Sequence, residues 1–134
     1  MRKLLFLSII LISCFANAQE EKAKTPKIAI KIEQGQSITL GDVKLKFLTV
    51  EEDSRCPKYT NCIWAGRAVV VLEVVEGTQK QEKKVYLGET RPNEPSTKTL
   101  YSKDNYFIEV VALNPYPEMD KEKGTYTLLI CEGK

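Results

Sequence analysis

The chain has 134 residues, of which 43% are hydrophobic and 28% charged, with four cysteines, one tryptophan and no histidine. That length holds one domain, and the missing histidine removes Ser-His-Asp and Cys-His catalysis together with the commonest zinc ligand. With 20 basic against 18 acidic residues, there is no basic surplus of the kind that displaces counterions from nucleic acid.

Met1 to Lys3 carries two basic side chains, Leu4 to Ile12 is apolar apart from Ser8, and Ala16-Asn17-Ala18 follows. A basic start, a short apolar run and an A-x-A site make a bacterial-type secretory signal peptide over residues 1–18. The apolar run is too short to span a bilayer. Leu11-Ile12-Ser13-Cys14 competes as a lipobox, in which Cys14 would carry a lipid. Both readings are extracytoplasmic, periplasmic or secreted, and only the second ties the protein to a membrane. Arg2 and Lys3 leave with the leader, so 18 basic residues then meet 18 acidic ones. Residues 19–26, polar and ending in Pro26, read as a flexible spacer. The folded domain is expected over 27–134.

From Lys27 onward the hydrophobic period is two, the mark of strands with one wet face. Ile28, Ile30 and Ile32 alternate with Lys27, Lys31 and Glu33, Gly35 interrupts, and Ile38 and Leu40 continue to a tight turn at Gly41-Asp42. Val43, Leu45 and Phe47 share a face, after which Leu48 and Val50 fall out of phase. Such a slip marks a β-bulge or a strand crossing between sheets. Residues 51–66 break the alternation and read as a long loop. Ala68 to Val75 is apolar on both faces and is expected to be a central or covered strand. A turn at Glu76-Gly77-Thr78 leads to a strand from Gln81 to Leu87, and residues 89–99 read as irregular. Tyr106 to Leu113 is the next strand, stopped by Asn114-Pro115-Tyr116-Pro117, and Thr125 to Cys131 is the last. The expected fold is all-β: a single antiparallel β-sandwich, or a related barrel, of about seven strands.

The loop Glu51 to Gly66 holds Cys56, Cys62 and Trp64. In an oxidising compartment, two cysteines six apart in a loop most simply pair, closing a seven-residue ring that restricts the unfolded chain by about 2.4 kcal/mol on the chain-entropy model. A Cys62–Cys131 bridge is the alternative; otherwise Cys131 is a buried free thiol. Asp53, Trp64 and Gly66 are expected to structure the loop, Asp53 by accepting backbone N–H groups and Trp64 as a plug at the sandwich end. Arg55 can pair with the local carboxylates or bind a partner. Tyr59, within the ring, and Tyr116, between two prolines, are candidate exposed contacts. Glu51, Glu52 and Asp53 could offer oxygens to Ca²⁺, but successive strand residues face opposite ways, so no metal and no cofactor is expected.

Asp53-Ser54-Arg55-Cys56-Pro57 and Cys62-Ile63-Trp64-Ala65-Gly66, four residues apart, resemble the D-S-R-C-P-x4-C-[VI]-W-A-G signature of a group of uncharacterised small exported bacterial proteins and lipoproteins. Leu113-Asn114-Pro115-Tyr116-Pro117 is similar to the L-x-P-x-P segment that such proteins carry before their final strand. The resemblance implies paired cysteines and an extracytoplasmic, often lipid-anchored, β domain. It implies no activity.

Without a catalytic constellation, the sequence favours a non-catalytic binding module of the cell envelope that presents a stapled loop to another envelope protein or a peptide. The alternatives are a structural or accessory envelope protein, or a protease-inhibitor-like domain in which residues around Cys56 to Cys62 would occupy a protease cleft. Nucleic acid is not an expected partner.

Overall fold

The computed structural model describes residues 27–134; the leader, the lipobox and the spacer read from residues 1–26 lie outside the described residues. Eight strands run in order: β1 (Ile28–Glu33), β2 (Ser37–Leu40), β3 (Val43–Asp53), β4 (Arg67–Glu76), β5 (Gln79–Gly88), β6 (Thr99–Lys103), β7 (Tyr106–Asn114) and β8 (Thr127–Gly133). They form two four-stranded antiparallel sheets, ordered β1-β8-β7-β6 and β2-β3-β4-β5, packed face to face as a sandwich. Inward residues of both sheets make one core, among them Ile32, Leu45, Phe47, Val70, Leu72, Leu100, Ile108, Leu128 and Ile130.

Within each sheet strands consecutive in sequence pair, β2 to β5 in one and β6 to β8 in the other, and β8 closes back onto β1 with Ile28 opposite Glu132. At the β1–β2 corner the backbone stitches both sheets: Gln34 N–H donates to Tyr126 O at 2.9 Å and Gly35 N–H to Phe47 O at 2.7 Å. Across the opposite corner, between β5 and β6, no ladder is formed. There Lys83, inward-facing on an edge strand, donates from Nζ to Leu100 O at 2.6 Å. An inward-pointing, half-buried ammonium on an edge discourages pairing with a foreign strand.

The expected slip in β3 is a bulge at Leu48, and a second follows at Glu51. The first returns Val50 to the core side. The second sets Asp53 opposite Ala68, inward, and Glu52 opposite Val69, outward. β4 is central, as its two apolar faces require. Its outer residues Val69 and Val71 are buried as well, opposite Tyr86 and Lys84 of β5, and Lys84 reaches Glu51 of β3 at 2.8 Å. Three expectations need correction. The loop expected from residue 51 starts at Ser54, because the acidic stretch still pairs with β4. The last strand starts at Thr127. The segment after Lys98 contains β6, whose Leu100 is fully buried.

The turns at 41–42, 77–78 and 104–105 and both ends of the described chain lie at one pole, the base. The segments 54–66, 89–98 and 115–126 lie at the other.

Candidate functional site

Past Asp53 the chain keeps two more bonds to the start of β4: Ser54 N–H donates to Arg67 O at 2.8 Å and Cys56 N–H to Ala65 O at 2.9 Å. These make a neck, beyond which residues 57–64 project with no sheet layer beneath them. Gly66 sits in the neck at φ +71°, and a Cβ there would stand 1.9 Å from Ser54 O. Only glycine allows this approach. Within the projecting loop Cys56 and Cys62 are disulfide-bonded, their Cα atoms 6.0 Å apart. Cys131 is a free buried thiol on β8, so the Cys62–Cys131 alternative does not occur. Burial first, then its hydrogen bond to Glu109 at 3.2 Å, raises the Cys131 pKa.

Arg55 clamps the neck to the segment after β7. Its guanidinium forks onto Asp53, Nε to Oδ1 at 2.7 Å and Nη2 to Oδ2 at 3.0 Å. Nη1 donates to Leu113 O at 2.7 Å and Nη2 to Pro115 O at 3.1 Å. Its outer face lies 4.8 Å from the centre of the Tyr116 ring, a cation–π contact. Asp53 also accepts from Tyr126 Oη at 2.9 Å and faces Lys123 Nζ at 3.5 Å. Burial alone would raise the Asp53 pKa, but the Arg55 and Tyr126 hydrogen bonds outweigh it and hold it low. Both side chains of the pair are buried, so Arg55 positions the loop and is not itself a free contact. On the other side of the neck Arg67, also buried, joins Glu52 at 2.9 Å, Glu94 of the 89–98 segment, and the Tyr86 ring at 5.5 Å. Glu51, Glu52 and Asp53 are therefore committed to three separate cations, Lys84, Arg67 and Arg55.

The ring is tied down once more where Lys58 N–H donates to Pro117 O at 2.9 Å and its ammonium meets Glu118 at 3.0 Å. Tyr59 tops a turn in which Thr60 N–H donates to Pro57 O at 3.3 Å. Its φ of +62° belongs to a position that turns normally give to glycine. Tyr59, Ile63 and Trp64 are 101, 94 and 74% exposed. Trp64 is thus not the expected plug: it lies beyond the neck, and the sandwich end is closed instead by Arg55, Leu113, Tyr126 and the buried Pro117. Tyr116 is exposed on one face and stacked on Arg55 by the other. Beside it a groove of about 300 Å³ runs between Leu87 and Gly88 of β5 and Val111 to Leu113 of β7, where β6 has ended.

Ile63 and Met119 are exposed contacts that sequence reasoning did not single out. A second depression, about 360 Å³, opens at the base beside Tyr101 and Tyr106, whose hydroxyls already donate to Glu76 and Glu132. Among the described residues, no group of three or more acidic, cysteine or histidine side chains is arranged to hold a metal ion. No protein-family model, curated protein or solved structure matches this chain.

Proposed function

We propose that this protein is a non-catalytic binding module that works outside the cytoplasm, in the bacterial envelope, and engages another envelope protein or a peptide through the projecting loop. One observation carries the reading: three large apolar side chains stand in solvent on the projecting loop, Tyr59 inside the disulfide ring and Ile63 and Trp64 directly after it. Exposing them gains nothing for the fold, and holding Tyr59 at positive φ costs on the order of 1–2 kcal/mol. A rigid aromatic display is what an interface anchor needs, since little conformational entropy is lost on contact. The disulfide agrees with an oxidising compartment. The carboxylates flanking the loop are committed to ion pairs or hydrogen bonds, which leaves no poised acid–base pair there.

A substrate-like protease inhibitor fits the geometry less well. Proteases take their substrates extended, whereas Pro57 to Thr60 is a closed turn with Tyr59 left-handed. The test is crosslinking in native envelopes, comparing the wild type with Tyr59→Ser combined with Trp64→Ser. Both side chains are exposed, so the double variant keeps its melting temperature and loses its crosslinked partner. If both proteins capture the same partner, or neither captures any, the proposal fails.

A further inference from the structure

We infer that Cys56–Cys62 is a thiol–disulfide exchange site that acts as a local latch on residues 57–64: reduction frees the loop and leaves the sandwich folded. The two sulfurs differ in access, for Cys62 is exposed and Cys56 is half-buried at the neck. A thiolate of an incoming dithiol attacks Cys62 Sγ. The S–S bond breaks, and its electron pair leaves on Cys56 Sγ, which takes up a proton. The second thiol of the reductant then attacks the mixed disulfide and leaves with the reductant as a disulfide, releasing Cys62, which is protonated in turn. Two electrons and two protons have passed to the ring. The carbonyl oxygens of Pro57 and Thr60, 3.8 and 3.5 Å from Cys56 Sγ, stand ready to accept the new S–H.

The effect stays local because nothing below the ring depends on it. The neck bonds of Ser54 and Cys56, the Arg55 clamp, the Arg67 pairs and the two-sheet core are hydrogen bonds, ion pairs and packing, none of which involves either sulfur. Above the neck the case is reversed. Lys58 is held by Pro117 and Glu118, and Ala65 by the Glu89 carboxylate at 3.1 Å; between those two anchors the backbone has the Pro57–Thr60 turn and the disulfide, and the side chains Tyr59, Ile63 and Trp64 are exposed. Once the ring opens, the left-handed turn at Tyr59 loses the closure that enforces it, and the segment can extend. If the loop is the contact surface proposed above, reduction switches that surface off. The latch itself rests on the fold, not on that reading.

The experiment is limited digestion of the exported protein, oxidised and after a phosphine reductant, with a Cys56→Ser, Cys62→Ser double variant as a reductant-free counterpart. Trypsin reads the Lys58–Tyr59 bond, and chymotrypsin reads Tyr59 and Trp64. The expected result is cleavage within 57–64 that is faster by about tenfold or more in the reduced and double-variant forms, with unchanged far-ultraviolet circular dichroism and no new cuts below the neck relative to the oxidised protein. Digestion throughout the chain, or loss of the sheet signal at room temperature, would mean that the disulfide holds the whole fold and would overturn the inference. Equal resistance of oxidised and reduced protein would overturn it from the other side. Partner capture by the oxidised protein is scored separately. If it is absent while the digestion pattern is as expected, the binding proposal falls and the latch stands.

Discussion

Arg55 places four hydrogen bonds and a ring contact in one buried spot, joining residues 58 and 60 positions away to the neck of the loop. Removing it leaves the Asp53 carboxylate buried without its fork, so Arg55→Ala should cost about 3–5 kcal/mol in denaturant titrations. Arg55→Lys should recover only part of that, because an ammonium cannot reach the carboxylate and two carbonyls in one plane. Asp53 has a folded-state pKa below its ordinary value near 3.8. Its stabilising contribution is therefore complete above that value and is lost as the pH falls through the lower, folded one. Urea midpoints measured across the acid range should drop below about pH 4, with a smaller drop in Asp53→Asn. The Arg55–Asp53 pairing is readable from their adjacency in the sequence. The carbonyls of Leu113 and Pro115 are not, since only the finished fold brings β7 to the loop. Trp64 departs from expectation for a related reason: size and apolarity argue for burial, but burial needs a layer underneath, and the neck ends before Trp64.

At the scale of elements, β3 and β4 are read well where apolar residues mark the faces and poorly where they stop. The Leu48 bulge announces itself because Leu48 and Val50 break the alternation. The Glu51 bulge is silent, since three acidic residues look the same in either phase, and that bulge is what turns Asp53 inward. β6 is not legible in the sequence because five residues with two apolar positions follow a polar segment directly. Its assignment depends on β7 lying beside it. Gly66 is the tightest element junction. Gly66→Ala adds a methyl group to a left-handed residue already touching Ser54 O, and a loss of about 2–4 kcal/mol is expected from the combined strain and displacement. Thermal melts of this variant against Gly77→Ala, where a Cβ meets nothing within 4 Å, separate the displacement from the cost of positive φ.

For the whole molecule, protection should follow the layering. β4 is bonded on both edges and covered on both faces, whereas β1 is an edge strand with mostly exposed side chains, paired only with β8. Native-state hydrogen exchange should find the slowest amides in β4 and earlier exchange in β1, by local opening without global unfolding. Equal protection of the two would show that the sandwich opens as one unit. The two-sheet architecture was legible from the period of two and the turn spacing. The eight-strand circuit, with β8 returning to β1, was not, because sequence periodicity carries no information on which strands meet.

That circuit has a consequence for how the protein can be carried. The first and last strands run side by side, with Ile28 opposite Glu132, so both ends of the fold leave from a single footing while the aromatic crown stands at the far side. A carrier joined at either end, whether lipid, bead or fused reporter, becomes a handle that leaves the crown uncovered.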